Sequence, residues 1–440
     1  MRIPVLIIFI VASMIGMHSC APTKKEVYDP NDLSYIYNPV RSSINPSFRI
    51  FNENDDVSQL SIKFFANDLD FNEANTEGVS KTSMVVIYRL FNLSLGRVPV
   101  DTAILNLAFR EEIGRRDYTF NISINAPAGS MYEIEVVVRD LIKSKRAQQY
   151  ITFDKRDKLG RNNFRMIGHF DGKEVFTPIL REHEFVNLRY SDHPIDSLYI
   201  RYFMPYDNVP EPPYLLLPER ELDLEPAGRD AVPYSDTIPI MCPRKGVYQF
   251  VVDSNNLRGY TIFNFGTDFP TMRTPESMID PLVYLTDKSV LDSMKAHPRP
   301  KVALDEYWIS LTGNVERSRE LIRIYYNRVL YANLYFTSYK EGWKSDRGMI
   351  FIIYGPPDKV YKTIDGERWG YNRPAIKSGW GIRYKVEDDL LYFSFSKKEN
   401  PFSDNNYVLL RNESLTTFWE QAVRSWRNGR VFSLDNPEDL

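Results

Sequence analysis

The first apolar segment of the chain is a short run from Ile3 to Met17, which only Ser13 interrupts. Its fifteen residues fall short of the roughly 20 that a helix needs to cross a bilayer. Arg2 lies before the run, and Ser19 and Cys20 lie just after it. A basic start, a short apolar stretch and a small residue at the end are typical of a bacterial secretory signal.

Cys20 stands directly after a small residue, as the cysteine of a lipobox does. Met17 and His18 occupy positions where a lipobox usually has Leu and then Ala or Ser. We predict that residues 1–19 are a lipoprotein signal peptide and that Cys20 carries acyl chains, palmitate among them, which anchor the mature protein to a membrane. An uncleaved anchor, or a plain signal followed by a chance cysteine, is the alternative.

Residues 20–47 are polar and carry four prolines without a sustained apolar period, so they are predicted to form an extended tether. In residues 48–158, apolar and polar positions alternate in short runs, the pattern of half-buried strands. The clearest runs are Phe120–Ile124, Tyr132–Val138 and Gln149–Phe153. Short alternating strands separated by turn residues predict a β-sandwich.

Residues 159–269 repeat this scheme. Gly129 comes before an alternating strand that starts at Tyr132, and Gly246 comes before another with Tyr248 near its start. A tyrosine after a turn glycine, at the start of a late strand, is typical of the tyrosine corner of immunoglobulin-like sandwiches. We therefore predict two all-β immunoglobulin-like sandwiches in tandem; alternatively, any tyrosine-rich strand after a turn shows this pattern. The proline-rich stretch 210–218 and the acidic stretch 219–225 are predicted to be an exposed insertion.

After residue 270 the apolar positions change to helical spacing, and residues 270–434 are predicted to form an α+β domain. Asn314 is a predicted N-cap. One face of the helix after it carries five apolar residues at helical spacing: Leu321, Tyr325, Val329, Ala332 and Phe336. The continuous apolar run Met349–Tyr354 predicts a strand buried on both faces. A last helix is predicted from about Ser414, with Gly429 as its C-cap.

Composition excludes some classes of function. The chain has 440 residues and a net charge of −3, without the concentrated basic face of a nucleic-acid binder. Acylation of Cys20 leaves Cys242 as the single thiol, so no intramolecular disulfide is expected. The five histidines are scattered, and no Cys/His spacing of a zinc site is present. We expect no metal, no cofactor and no nucleic-acid partner.

One stretch of the C-terminal region carries a specific motif. Gly342-Trp343-Lys344-Ser345-Asp346-Arg347-Gly348 is followed by the apolar run and then by Gly355-Pro356-Pro357-Asp358. Together with Tyr307-Trp308 upstream and Glu367-Arg368-Trp369 downstream, this stretch resembles the GWxTD domain family over roughly residues 274–430. Ser345 stands where the Thr of the family's name would be, which keeps the hydroxyl. The resemblance implies an envelope protein of Bacteroidota or relatives, and it assigns no biochemical activity.

The residues of the motif allow two interpretations. Gly342 and Gly348 predict a tight loop, in which Ser345 and Asp346 accept backbone N–H groups. Arg347 is predicted to pair with Asp346 or Asp358. In the first interpretation the motif, including Gly355, Pro356 and Pro357, only determines the fold. In the second, Trp343, Arg347 and Trp369 line a recognition groove.

A catalytic interpretation has little support in the sequence. No Gly-x-Ser-x-Gly elbow occurs, and His297 is the single histidine near the motif, whereas a serine nucleophile needs a base within reach. Asp346 and Asp358 are the remaining option, as a carboxylate pair for glycan hydrolysis. We therefore expect no catalytic residues.

Together these observations predict a lipoprotein of the outer membrane. The residues after Cys20 lack the acidic run that we associate with surface export, which favours the periplasmic face. The expected role is a non-catalytic binding or scaffolding subunit of an envelope complex for secretion, outer-membrane assembly or surface organisation, with an envelope protein as partner. The alternatives are an envelope enzyme acting on glycan or peptidoglycan, and a carbohydrate- or peptide-binding receptor.

Overall fold

The computed structural model describes residues 32–38, 44–72, 80–142, 145–191, 194–218, 221–363, 365–372, 376–377, 383–384 and 390–432. The predicted signal peptide, Cys20 and much of the predicted tether lie outside these residues. Within the described ranges, no helix has both the length and the apolar character that crossing a membrane requires.

Antiparallel strands between residues 47 and 154 form two sheets. These strands are β1 (Ser47–Asn52), β2 (Val57–Phe65), β3 (Lys81–Asn92), β4 (Val98–Arg110), β5 (Asp117–Asn125), β6 (Met131–Asp140) and β7 (Arg146–Asp154). The sheet β1-β2-β5 and the sheet β4-β3-β6-β7 contribute side chains to one hydrophobic core. The three alternating runs of the sequence lie within β5, β6 and β7.

A second pair of sheets has the same strand order, except that an isolated bridge stands in place of the strand equivalent to β5. The strands are β8 (Phe164–Gly168), β9 (Val186–Tyr190), β10 (Ser197–Phe203), β11 (Gly228–Pro233), β12 (Gly246–Val251) and β13 (Tyr260–Asn264). The sheet β11-β10-β12-β13 corresponds in chain order to β4-β3-β6-β7, and the pair β8-β9 corresponds to β1-β2. A single antiparallel bridge between Val186 and Ile240 takes the place of β5.

Each of these β regions has a tyrosine that bonds back to the turn before its own strand. The Tyr132 hydroxyl donates to the Pro127 carbonyl at 2.8 Å, and the Tyr248 hydroxyl donates to the Arg244 carbonyl at 3.0 Å. The two tyrosines lie near the starts of β6 and β12, which are equivalent strands. Their geometry matches the pairing of Tyr132 with Tyr248 in the sequence.

The C-terminal region, residues 275–432, combines helices with a sheet. Its helices are α1 (Pro275–Ile279), α2 (Lys288–Ala296), α3 (Pro300–Thr312), α4 (Val315–Phe336), α5 (Asp346–Tyr354) and α6 (Thr416–Arg427). Its strands are β14 (Lys359–Lys362), β15 (Gly366–Asn372), β16 (Ile376–Lys377), β17 (Arg383–Tyr384), β18 (Leu390–Lys397) and β19 (Tyr407–Leu409). The sheet β14-β15-β18-β19 and the helices share one large core.

Helix α4 agrees with the sequence prediction. The Asn314 side chain accepts a hydrogen bond from the Arg317 N–H at 3.0 Å and so caps the helix. The five residues of the predicted apolar face are all buried. Helix α6 also begins close to its predicted position, after a 3-10 turn at Glu413–Leu415, and Gly429 follows it with a φ of +70°.

The apolar run Met349–Tyr354 is helical, so the predicted strand is wrong. It forms most of α5, whose nine residues are all buried because the helix packs against α4, α6 and β19. A short run that is apolar on every side cannot be assigned to helix or strand from periodicity. The capping residues and the surrounding elements decide instead.

The described part of the predicted tether is docked and not extended, which corrects that prediction. Ser34–Tyr37 is a 3-10 helix, and Leu33 and Tyr37 are buried in the C-terminal core. The Leu33 N–H donates to the Val360 carbonyl at 2.8 Å. Ile44 is buried in the core of the first β region. A few apolar anchors among polar residues are enough to dock this segment, although they make no periodic pattern.

The second β region is held between its neighbours. The outer face of its larger sheet contributes Phe203, Val247 and Phe263 to a small core with Phe402 of the C-terminal region. As a result, every residue of β12 and β13 is buried. On the other side, Arg258 forms ion pairs with Asp154, at 2.6 Å, and with Asp157 at the end of the first β region.

Candidate functional site

The motif begins with a close approach of backbones. Gly342–Lys344 is a 3-10 turn after α4, and a Cβ on Gly342 would lie 2.0 Å from the Ala332 carbonyl oxygen. A Cβ on Gly348 would lie 2.0 Å from the Gly342 carbonyl oxygen. Because neither position has room for a side chain, the two glycines allow α4, the turn and α5 to pack against one another.

Trp343 lies in the core. Its side chain is buried, its backbone N–H donates to Asn333 Oδ1 at 3.0 Å, and its backbone carbonyl accepts from the Tyr284 hydroxyl at 2.7 Å. These two bonds attach the turn to α4 and to the 3-10 helix Asp280–Tyr284.

Ser345 and Asp346 start helix α5. The Ser345 hydroxyl donates to the Gly342 carbonyl at 2.6 Å and accepts from the Gly348 N–H at 3.0 Å, which makes it the N-cap. Asp346 lies in the first turn, where the helix dipole favours a carboxylate. It accepts from the Leu409 N–H at 2.9 Å and from Arg411 at 2.6 Å. The partners of Asp346 thus come from β19 and the segment after it, and not from its own loop.

Arg347 forms a buried ion pair, and the predicted partners Asp346 and Asp358 are wrong. Its Nη1 lies 3.2 Å from Oε1 of Glu367 on β15, and the side chains are 2% and 0% exposed. The guanidinium carbon lies 3.8 Å from the centre of the Tyr407 ring. Planar stacking and a directed hydrogen bond use the features that distinguish arginine from lysine.

Glu367 accepts hydrogen bonds or ion pairs from several elements. The Tyr37 hydroxyl lies 2.9 Å from Oε1, Trp369 Nε1 lies 3.0 Å from Oε2, and Lys362 Nζ lies 3.1 Å from Oε1. Burial by itself raises the pKa of Glu367. The charges of Lys362 and Arg347 and the hydrogen bonds from Trp369 and Tyr37 outweigh it and lower the pKa to about 2. Glu367 is therefore ionised at neutral pH and binds the N-terminal segment to the C-terminal core.

The Gly-Pro-Pro-Asp segment ends α5 and joins it to the sheet. Gly355 has a φ of +87°, a conformation that favours glycine, and its carbonyl accepts from the Tyr371 hydroxyl at 2.9 Å. Pro356 and Pro357 follow, where the chain leaves the helix. The Asp358 side chain accepts from the Asn372 N–H at 2.9 Å, so this carboxylate is engaged with the end of β15.

A loop of the second β region lies over the motif. Lys344 Nζ is 2.6 Å from an Asp207 oxygen, and Arg411 donates to the Glu211 carbonyl at 3.0 Å. Val209 and Tyr214 pack against the C-terminal core. The predicted exposed insertion is therefore docked in its first part, whereas the three leucines at 215–217 are exposed.

The structure places Trp343, Arg347 and Trp369 in the interior, where they hold elements together and do not line a surface groove. Neither Glu367, as the partner of Arg347, nor the contribution of Tyr37 was predicted from the sequence. One signal was available. Glu367, Trp369 and Tyr371 are two residues apart and therefore lie on one face of a strand. A carboxylate on the same face as aromatic core residues needs a cation beside it.

Two other groups of residues bear on chemistry. Cys242 is buried and forms no disulfide, and burial raises the pKa of its thiol to about 12, so the thiolate is scarce at neutral pH. Among the described residues, no cluster of three or more His, Cys, Asp or Glu side chains could hold a metal ion.

An accessible cleft lies where the three regions meet. Its volume is about 610 Å³, within the range of roughly 300–1,000 Å³ that is usual for ligand sites. Arg49 of β1, Tyr260 and Phe263 of β13, and Thr337 and Asn405 of the C-terminal region all line it. Its walls therefore exist only in the assembled chain.

Two asparagines connect this cleft to the motif. Asn333 accepts from the Trp343 N–H and donates to the Pro270 carbonyl at 2.9 Å. Asn405 accepts from Arg347 through its main-chain carbonyl at 3.1 Å, and its Nδ2 donates to the Thr337 carbonyl at 2.9 Å. Both asparagines line the cleft. The hydrogen bonds of the motif therefore hold Asn333 and Asn405, which form part of one wall of the cleft, in position.

Residues 246–428 match the family model of the GWxTD domain. This segment of the chain thus carries a GWxTD domain, as the motif predicted. The matched segment begins before residue 274, where the resemblance in the sequence began, and it includes β12 and β13. These two strands belong to the second β region, and all their residues are buried because one face of their sheet packs against the C-terminal region.

Other comparisons assign no activity. No curated protein matches the chain. Among solved structures, a calcium-binding mutant of Bacteroides uniformis beta-glucuronidase 2 is similar at 10% identity, and Bacteroides uniformis beta-glucuronidase at 12%. Each alignment covers 37% of this chain and 16% of the other, with a TM-score of 0.18. At that TM-score the likeness carries no argument about fold or function.

Proposed function

We propose that this protein is a lipid-anchored, non-catalytic binding or scaffolding subunit of a cell-envelope complex, on the periplasmic face of the outer membrane. Cys20 carries the acyl chains in this proposal, and the partner is an envelope protein. A single acyl chain binds a membrane only marginally, so stable anchoring needs the several acyl chains of a mature bacterial lipoprotein. The complex would serve secretion, outer-membrane assembly or surface organisation.

The observation that carries the non-catalytic part is the engagement of the motif in internal contacts. Ser345 caps a helix, Asp346 bonds to β19 and Arg411, Arg347 pairs with Glu367, and Asp358 bonds to the end of β15. A hydrolytic carboxylate pair needs one free acid with a raised pKa and a fixed separation between the two groups. Groups that already hold elements together are poor candidates for that task.

We further propose that residues 48–158 and 159–269 are tandem immunoglobulin-like sandwiches and that residues 270–434 are the GWxTD domain. The shared strand order and the two tyrosine hydrogen bonds support this division. In this arrangement the first sandwich lies nearest the tether in sequence, and the second is packed against the GWxTD domain.

Affinity purification tests the proposal. Tagged wild-type protein is isolated from detergent-solubilised membranes, and co-purifying proteins are identified by mass spectrometry. We expect an envelope protein in near-stoichiometric amount. In parallel, the purified protein is incubated with peptidoglycan and envelope glycans beside the Asp346→Asn, Asp358→Asn double variant. Fragment release by the wild type alone, with the double variant folded, would contradict the proposal and favour an enzyme.

The anchor has its own test. Cys20→Ser should move the protein from the membrane fraction to the soluble fraction, and metabolic labelling with a fatty-acid analogue should mark the wild type only. A wild-type protein that is soluble and unlabelled would refute lipidation. Cleavage of the wild type by protease added to intact cells would place it on the cell surface.

The cleft at the junction of the three regions favours a second candidate within the binding class, a peptide receptor. Like the interior around the motif it is lined by arginine and aromatic residues, but unlike that sealed interior it is open to a ligand.

A further inference from the structure

The floor of the junction cleft is aromatic. Tyr260, Phe263, Phe269 and Phe402 line it, and all four side chains are buried. Each ring presents only a small part of its surface to the cleft, and together the four give it an apolar, aromatic lining. Leu334 of α4 also lines the cleft and is 56% exposed, which places apolar surface at the opening as well as at the floor.

Three arginines from two regions reach the same cleft: Arg49, Arg161 and Arg181. Two carboxylates oppose them, Glu184 and Asp404. Arg161 is engaged, since it donates to the Asn400 carbonyl at 3.1 Å and lies 3.4 Å from Asp404. Arg49 donates to the Tyr260 hydroxyl, so it braces the floor.

Arg181 differs from Arg49 and Arg161 in being exposed and in making no side-chain hydrogen bond among the described residues. Residue 181 is exposed, and among the described residues its guanidinium has no carboxylate within ion-pair distance, while Glu184 accepts from its backbone N–H at 2.9 Å. A guanidinium presents parallel N–H groups that match a carboxylate. Arg181 is thus the cation of the cleft that is available to a ligand.

The walls also carry groups that suit a peptide. Three polar residues of the lining, Asn333, Thr337 and Asn405, are already engaged in hydrogen bonds within the chain. Thr177 and Ser403 also line the cleft and bring hydroxyl groups to it. A peptide brings N–H and C=O groups that can use such partners, whereas a fatty acid brings none beyond its head group. An apolar floor, a free arginine and polar walls together describe a site for a carboxylate next to an apolar side chain.

We propose that the junction cleft binds the C-terminal end of a peptide, with the terminal carboxylate on Arg181 and an apolar last side chain on the aromatic floor. This inference rests on the proposed binding role but not on the lipid anchor. Because the first two regions and the C-terminal region all supply walls, a bound peptide end also holds their arrangement fixed.

The probe for this site is a fluorescein-labelled Gly-Ala-Ala-Phe peptide with a free terminal carboxylate, and its matched control is the same peptide with a C-terminal amide. Binding is measured by fluorescence anisotropy with the full chain. We expect the free acid to bind about tenfold or more tightly than the amide, the range for one hydrogen-bonded charge pair. Arg181→Ala should remove this difference, and Leu334→Glu should weaken the acid through like-charge repulsion.

Arg229→Ala is the control variant, because Arg229 of β11 is exposed, pairs with Glu225 on the surface and does not line the cleft. It should leave the affinity unchanged. Equal binding of acid and amide, no binding of either, or competition by decanoate as strong as by unlabelled peptide would overturn the assignment. If the envelope partner still co-purifies in any of these cases, the scaffold role stands and only the peptide site falls.

Discussion

The motif core and the junction cleft use similar residues in opposite settings. Around the motif, Arg347 is 2% exposed and already has Glu367 and Tyr407 as partners. In the cleft, Arg181 is exposed beside an aromatic floor and has no such carboxylate among the described residues. The motif is easy to recognise in the sequence, but its polar and charged side chains are already paired within the fold. The groups that remain accessible to a ligand lie in the junction cleft.

The difference is one of energetic role. A buried ion pair adds little stability over well-packed apolar residues, but removing one partner leaves an uncompensated charge and costs several kcal/mol. An exposed arginine contributes little to folding, so its replacement is felt only when a ligand is present. Substitutions in the motif core should therefore lower the unfolding free energy, whereas substitution of the exposed arginine should lower only the affinity for a ligand.

All six tryptophans of the chain lie after residue 270, so tryptophan fluorescence follows unfolding of the C-terminal region specifically. Trp343→Ala should give the largest loss of unfolding free energy, about 3–5 kcal/mol, as for other large-to-small core changes. Urea titration followed by fluorescence measures it. An unchanged unfolding midpoint together with lost partner capture would move Trp343 from the core to the recognition surface.

Arg347→Ala paired with Arg181→Ala tests the comparison most directly. The first should cost about 3 kcal/mol, at the lower end for a broken buried pair, because Lys362 still neutralises Glu367. The second should change the unfolding free energy by less than about 0.5 kcal/mol, as for exposed residues, and act on peptide affinity alone. Similar losses from the two variants would remove the distinction between the sites.

Acid should weaken the motif core through Glu367. Its folded pKa of about 2 lies below the unfolded value of 4.5, so its contribution is fully present above pH 4.5 and is lost as the pH falls toward 2. The shift corresponds to about 3 kcal/mol at neutral pH. Urea titrations at pH 7 and pH 3 should show part of this loss in the wild type and a smaller loss in Glu367→Gln. Equal pH dependence of both would contradict the assignment.

The smallest expected effect concerns the position where the sequence departs from the family's name. Ser345→Ala removes the N-cap of α5 and should cost about 1 kcal/mol, whereas Ser345→Thr keeps the hydroxyl and should stay within a few tenths. Thermal melts of the two variants beside the wild type decide. A larger loss from Thr than from Ala would mean that the site cannot accept the extra methyl group.

Sequence patterns captured those features that depend on neighbours along the chain. Alternation predicted β5, β6 and β7, the spacing of apolar residues and Asn314 predicted α4, and the motif predicted the family match. In each case the signal arises from residues within a few positions of one another, because strand faces and helix caps are local geometry.

Contacts between distant residues were decided only by the tertiary structure. Met349–Tyr354 became a helix because α4, α6 and β19 bury every side of it, which no period can show. Arg347 paired with Glu367, twenty residues away, and not with the nearer Asp346, because the fold carries β15 past the helix start. Tyr37 reached the same carboxylate from the far end of the chain. The cleft has walls from three regions, so it exists only after those regions have packed together.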